Sequence, residues 1–286
     1  MTSAPVLSLP RSSDPIAPDE LERFYDRPTE TVLADPAAPD HHRWLLEALE
    51  SGAVRTAVRE ADGSWRAVPW VKSAILLGFR LFGTLELTGA VGPAFDRAAY
   101  PPRFFDLEDR VRLVPGGSAV RRGAHLAPGV VVMPPAYVNV GAWVGADTMI
   151  DSHALIGSCA QVGARVHVSA GVQIGGVLEP AGSRPVVVED DAFLGAQSGL
   201  FEGVLVRERA VLAPGVLLTS ATTLYDLVRE TTWQGEVPAG AVVVPGTRPA
   251  RGALGAGLGL GLYAPVIVKY RDDSTDAATQ LEEALR

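Results

Sequence analysis

Cysteine is almost absent. Cys159 is the single thiol in 286 residues, which excludes a disulfide framework and a multi-cysteine metal site and suits a reducing compartment. Lysine is scarce too: Lys72 and Lys269 are the only two, so nearly all basic side chains are arginine. Positive charge is short overall. There are 25 Lys and Arg against 33 Asp and Glu, a net charge of −8, which argues against a nucleic-acid-binding surface. No apolar run reaches the ~20 residues of a membrane span. The opening MTSAPVLSLPRSSDPIAPDE lacks a basic start followed by a long apolar core, so no signal peptide is read. The expectation is a cytoplasmic chain that binds neither nucleic acid nor membrane. What is plentiful is aliphatic side chain (the hydrophobic fraction is 47%), with 30 Gly and 22 Pro. That is a globular composition, rich in turns and able to bury a sizeable core.

The aliphatic residues carry the main signal. Leu126, Val132, Val138, Val144, Ile150, Ile156, Val162, Val168 and Ile174 follow one another at a constant spacing of six. A second register resumes at Val188 and runs through Leu194, Leu200, Val206, Leu212, Leu218 and Leu224. Neither a helix nor an ordinary strand has that period; an alternating β-sandwich strand has period two. Six is the period of a parallel β-helix, in which three short strands make a triangular coil of about 18 residues. Small residues four places after an aliphatic, Ala136, Ala142, Ala154, Ala160 and Ser198, fit its corners. The fold class is therefore mainly β: a left-handed parallel β-helix with a small N-terminal α/β domain and a short C-terminal extension. The shift between registers places a protruding loop near 178–186.

Residues 1–110 are read as the N-terminal domain. It opens with a loosely ordered Pro-, Asp- and Ser-rich arm holding one short helix. A helix over 40–52 follows, with Asp40 as its cap and Gly52 as its stop. Next come a hairpin turning at Asp62-Gly63 and a mostly buried helix over 70–83. Residues 111–246 are the β-helix. Residues 247–286 hold a flexible glycine-rich loop (ARGALGAGLGLG), a strand (LYAPVIVKYRD) and a terminal helix capped by Ser274 or Asp276.

A triangular prism has flat faces and little concavity, so clefts arise where copies pack together; a trimer makes three. A long edge with small corner residues lets an extended ligand such as a pantetheine arm approach the backbone. The pattern points to an acyl-CoA-dependent transferase, with a non-catalytic trimeric scaffold as the reading from another class.

Five stretches then become specific: LESGAVRTAVREADGSWRAVPWVKSAILLGFR, RLVPGGSAVRRGAHLAPGVVVMPPAYVNVGAWV, TMIDSHALIGSCAQVGARVHVSAGVQIGGVLEP, VEDDAFLGAQSG and VPAGAVVVPGTRP. Over roughly residues 45–270 the chain resembles the tetrahydrodipicolinate N-succinyltransferase family of diaminopimelate–lysine biosynthesis. The resemblance implies a homotrimer with active sites between subunits. It implies acyl transfer from succinyl-CoA, or another acyl-CoA, to the amine of a small amino-acid substrate, without a metal. A specialised paralogue that acylates a different amino acid is the alternative within the fold.

Asp151 matches the family's active-site aspartate; a carboxylate there would hold an ammonium and help it lose a proton. Arg112 matches the arginine that pairs with a substrate carboxylate, a task suited to a guanidinium fork. Arg122 and Arg121 are candidates for a second carboxylate. Gly175, Gly176 and Ala196 offer backbone contacts to CoA, and Arg248, Arg251 and Lys269 are candidates for its phosphates. Three positions depart from the family pattern. Gly199 stands where the family has a glutamate, Gln197 where it has an arginine, and His153 where it usually has a tryptophan. Loss of the glutamate implies a site with one charge and one side chain's volume fewer. Glu202 is the nearest remaining carboxylate, half a hexad away and so around a corner. His153, three after Ile150 and outside the prism, is a candidate base. His167 and Cys159 are read as structural.

Overall fold

The computed structural model describes residues 16–89 and 92–272. Its N-terminal part begins with two helices where a loose arm with one helix was expected: α1 (Pro18–Tyr25) and α2 (Thr29–Ala34). Pro18 in the first turn, followed by Asp19 and Glu20, suits a helix start. Leu21, Phe24 and Val32 then bury against α3 (Ala38–Ser51) and α4 (Pro69–Leu81). Asp40 does not cap α3, because the helix already starts at Ala38; the carboxylate pairs with Arg43 at 2.9 Å instead. Gly52 does end the helix, in the left-handed region at φ 84°. The strands Ala57–Arg59 and Trp65–Ala67 pair antiparallel across a turn in which Asp62 accepts from the Ser64 amide. A second hairpin, Thr84–Gly89 with Gly92–Arg97, has no counterpart in the sequence reading.

From Arg112 onward the chain winds into parallel coils. Trp143 pairs with Gln161, and Met149 with His167, each one 18-residue coil further on. The two-residue strands fall in turn on three sheets, of six, ten and six strands. One face carries His125–Leu126, Trp143–Val144 and Gln161–Val162 and is called the first face here. The second carries Val131–Val132, Met149–Ile150 and His167–Val168. The third carries Tyr137–Val138, Leu155–Ile156 and Gln173–Ile174. Every one of the sixteen hexad aliphatics is buried in a single core. Each such side chain contributes about 1.5–3 kcal/mol by leaving water, so the hexad period is an energetic requirement of the prism.

The corners explain the remaining hexad positions. Three residues after the aliphatic, the backbone enters the left-handed region: Gly141, Gly171 and Gly215 do so, but so do Asp147, His153, Cys159, Arg165, Asp191, Gln197 and Arg209. The amide there donates to the coil below, as His153 to Pro135 and Gln197 to Ala170, and this bond fixes the turn whatever the residue type. The following small residue, such as Ala154 or Ala160, is buried beneath it.

The loop at 178–186 does not stand clear of the molecule. Lys72, fully buried on α4, donates through Nζ to the carbonyls of Ser183 at 2.7 Å and Pro180 at 3.3 Å. Leu178 packs on the helical core. The N-terminal elements lie along the first face and the third–first corner. Arg55 reaches Gln161, Thr56 reaches the Cys159 carbonyl, and Trp65 reaches Glu189. At the other end, the glycine-rich segment is not a plain loop. It holds a short helix, α5 (Ala253–Gly257), between the paired strands Thr247–Pro249 and Gly261–Tyr263. The expected strand splits into Gly261–Tyr263 and Val266–Tyr270, since the chain crosses from the hairpin to the second sheet between them. The terminal helix expected at Ser274 or Asp276 lies outside the described residues.

Candidate active site

With the first face covered, the second–third corner stays open within the chain. It carries Asp151 and His153, and two coils further on Ala196 and Gln197. Asp151 is half-buried and its Oδ1 accepts from the Ser152 amide at 2.6 Å, so the carboxylate does cap the corner. That uses one of its two oxygens. His153 is exposed, at φ 62°, a region histidine tolerates better than most residues. The neighbouring Gln173 anchors this corner, its Nε2 donating to the carbonyls of His153 and Gly171.

The third face runs away from this corner as a track of outward residues: Tyr137, Leu155, Gln173, Gly199 and Leu217. At its far end Tyr263 Oη accepts from the Leu217 amide at 2.7 Å, which docks the Thr247–Tyr263 hairpin there. Arg248 sits on the first strand of that hairpin; Arg251, exposed, lies between its two strands. Lys269 does not join them: it lies on the Val266–Tyr270 strand of the second sheet and pairs with Asp272 at 3.5 Å.

Gly175 and Gly176 form the other edge of the track. Where the residue two places after the aliphatic is not proline, as it is at Pro128, Pro134 and Pro214, its amide makes no bond to the backbone of the coil below. At Ser152 and Val140 a preceding Asp151 or Asn139 side chain accepts it. At Gly176 the preceding residue is glycine, and the N–H meets no acceptor among the described residues. The Ala196 N–H, after Gly195, is likewise open. Two of the backbone groups singled out in sequence thus present free donors along one track.

The other candidates fall elsewhere. Arg112 is exposed at the start of the second face, two strands from Met149 and so roughly 10 Å away. Arg122 is not free for a substrate. It is paired with Glu50 of α3, which also accepts the Gly123 amide, because the helix packs on that corner. Arg121 is paired with Asp96. Glu202 lies at the third–first corner, around the edge from Asp151, and accepts from Ser220 Oγ at 2.8 Å. His167 stacks on Phe193 on the second face, with ring centroids 4.7 Å apart. Cys159 is buried and its thiol is pushed up to about 12 by burial, which removes thiolate chemistry.

The place of the family glutamate is not a vacancy. A Cβ on Gly199 would stand 2.6 Å from Phe201 Cε2 and 2.9 Å from Leu217 Cδ2. The expected spare volume is filled by an aromatic ring. Sequence reasoning passed over Phe201 and Gln173, since neither residue type announces a site. The signal available was a glycine in a strand position, which marks a close approach. A cavity of about 230 Å³ lies away from this track, between Arg55, Trp65, Trp143 and Glu189 under the N-terminal hairpin. Among the described residues no group of three or more His, Cys, Asp or Glu is placed to hold a metal ion, and no helix is long and apolar enough to cross a membrane.

Stacked hexads on three parallel sheets, with an open corner carboxylate and free amides along one face, define a hexapeptide-repeat protein of the transferase type. Residues 21–81 match the family model "Tetrahydrodipicolinate N-succinyltransferase N-terminal", and 185–220 match "Hexapeptide repeat of succinyl-transferase". Relatives named 2,3,4,5-tetrahydropyridine-2,6-dicarboxylate N-succinyltransferase share much of the sequence. The one from Albidiferax ferrireducens is 41% identical over 89% of this chain and 93% of its own. That from Afipia carboxidovorans is 42% identical over 92% and 95%. That from Rhodopseudomonas palustris is 44% identical over 92% and 95%. The chain belongs to the tetrahydrodipicolinate N-succinyltransferase family.

Proposed function

We propose that this chain transfers a succinyl group from succinyl-CoA to the amine of the acyclic amino-keto acid formed when water opens the tetrahydrodipicolinate ring, or of a closely similar amino acid. The identity of 41–44% over about nine-tenths of the chain carries this reading. The track's chemistry supports it. The pantetheine arm lies along the third face, its thioester carbonyl toward the Gly176 N–H, and Arg248 and Arg251 reach toward the nucleotide end. Asp151 holds the substrate ammonium and takes one proton, leaving a lone pair for attack. The new C–N bond forms as the carbonyl becomes an oxyanion, which open amides stabilise. Collapse breaks the C–S bond, and the thiolate of CoA leaves. His153 lies one corner step from Asp151 and assists proton removal. Arg112 binds a substrate carboxylate contributed across a subunit boundary, because within one chain it is two strands from the corner.

The assembly that follows is a homotrimer of left-handed prisms, with sites between subunits and a cytoplasmic location. The division proposed for each chain is an N-terminal domain over 1–110, the prism over 111–246 and a C-terminal extension over 247–286. Light scattering tests the assembly: about three times 30.1 kDa is expected, and a monodisperse monomer contradicts it. A thermal-shift panel tests the ligand: succinyl-CoA should raise the melting temperature more than free CoA or acetyl-CoA. No shift with any of the three contradicts the reading. The ring over Gly199 favours a second reading, a paralogue whose acceptor differs from tetrahydrodipicolinate.

A further inference from the structure

Two segments far apart in sequence face each other across the cavity of about 230 Å³ on the first face. From the N-terminal part, Arg55 follows the end of α3, and Arg59 pairs with Trp65 across the hairpin. From the prism come Trp143, Gln161, Glu189, Asp190 and Glu208. The two indole walls are held in place by neighbours. Trp143 stacks on His125, with ring centroids 3.9 Å apart, and carries the Arg55 guanidinium 3.8 Å from its ring centre. Trp65 Nε1 donates to Glu189 Oε1 at 2.9 Å. The charges around the cavity are answered unevenly. Arg55 uses one N–H, from Nε to Gln161 Oε1 at 3.0 Å. Its other guanidinium N–H groups meet no acceptor, and no carboxylate pairs with it, among the described residues. Burial pushes its pKa down to about 10, against a weaker opposing pull from Asp190, so it is charged at neutral pH. A half-buried charge without a partner is costly.

On the acidic side, Glu189 is fully engaged: besides Trp65 it accepts from Arg207 Nη1 at 3.2 Å and from the Glu208 amide at 3.1 Å. Asp190 is only half engaged. Its Oδ1 accepts from the Ala164 amide at 2.9 Å, and its Oδ2 has only the Arg165 guanidinium, at 3.7 Å. The Glu208 carboxylate meets no partner among the described residues. A lone anion in the cavity would be drawn to Arg55 and repelled by Asp190 and Glu208; a lone cation would meet the reverse. A small molecule carrying both charges answers both sides. The volume lies below the ~300 Å³ at which drug-sized sites begin, which suits a small metabolite. We propose that this cavity binds a free α-amino acid with an apolar side chain: the carboxylate on Arg55, the ammonium on Asp190 and Glu208, and the side chain between Trp65 and Trp143. The ligand bridges the N-terminal hairpin to the prism. No residue assigned to acyl transfer takes part, so the site is independent of that reading.

Isothermal titration of the full chain tests the proposal, with L-leucine, L-phenylalanine and, for each, its N-acetyl and C-terminal amide forms. At least one free amino acid should bind. Its two capped forms should bind at least about 10-fold more weakly, because each loses one charge-assisted contact. Arg55→Gln and Asp190→Asn should each weaken the free amino acid by about 10-fold. Asp190 is exposed, and asparagine keeps an oxygen for the Ala164 amide, so this variant serves if Arg55→Gln fails to fold. Asp151→Asn should leave binding unchanged, which separates this cavity from an amino acid lodged at the second–third corner. No heat with either free amino acid up to about 10 mM overturns the proposal. So does an N-acetyl form that binds as well as its parent, which would make this a plain anion site. Binding within about two-fold of wild type in Asp190→Asn, or lost in Asp151→Asn, overturns it too, since the amino acid then sits elsewhere.

Discussion

Lowering the pH should destabilise the fold through His42. This ring is buried between α3, α4 and Tyr100, and its Nε2 donates to the Ala99 carbonyl at 3.3 Å. Its Nδ1 has no partner among the described residues, so protonation would put an unanswered N–H and a charge into a dry site. Burial, with a smaller push from the Arg122 guanidinium, lowers its pKa from 6.5 to about 4, against a weaker opposing effect of the Ala99 bond. The folded pKa lies below the unfolded one, so the unfolded chain binds the extra proton first. Stability is full above 6.5 and is lost as pH falls toward 4. The loss is about 2 kcal/mol at pH 5 and approaches about 3 kcal/mol near pH 4. Urea unfolding of wild type and His42→Leu at about pH 7.5 and about pH 5 isolates the effect. Wild type should lose about 2 kcal/mol more than the variant between these conditions. Equal losses would refute the assignment of a neutral, unprotonatable ring.

Lys72→Met removes both bonds from a buried ammonium to the 178–186 segment. Partly offset by relief from burying a charge, it should cost about 2 kcal/mol, with faster amide exchange confined to that segment; unchanged exchange would contradict the tether. Cys159, with its thiol at about 12, should resist a thiol reagent at neutral pH until the protein unfolds. Rapid labelling of native protein would contradict its burial. Asp151→Asn should lower turnover at least ~100-fold while CoA binding and melting temperature hold. Undiminished turnover would leave Asp151 only its bond to the Ser152 amide.

Much of the prism could be read directly, because its core demands one aliphatic every six residues and the period survives any choice among Val, Ile and Leu. The left-handed corner positions could not. Asp147, Arg165 and Gln197 occupy them as readily as Gly141 and Gly215, since the bond to the coil below, and not the side chain, holds the turn. The α1 and α2 helices were hidden by proline- and aspartate-rich composition, which suits a helix start as well as a loop. The fold-back of the 178–186 segment depends on Lys72, over a hundred positions away. The same distance effect governs the site. Asp151, His153 and Ala196 share one open corner because the coil repeat stacks them, and that spacing is legible. Arg122 was lost to Glu50 because α3 packs over its corner, a contact between segments that no local pattern encodes. At Gly199 the missing side chain was visible in the sequence, but not the Phe201 ring that fills its place.

The most direct test of the account is mass spectrometry of the products formed from succinyl-CoA and tetrahydrodipicolinate, with Asp151→Asn as the parallel sample. The account predicts an N-succinylated amino acid and free CoA in equal amounts with wild type, and at least ~100-fold less of both with the variant over the same time. Binding of succinyl-CoA without any succinylated product, or equal product from both proteins, would contradict it.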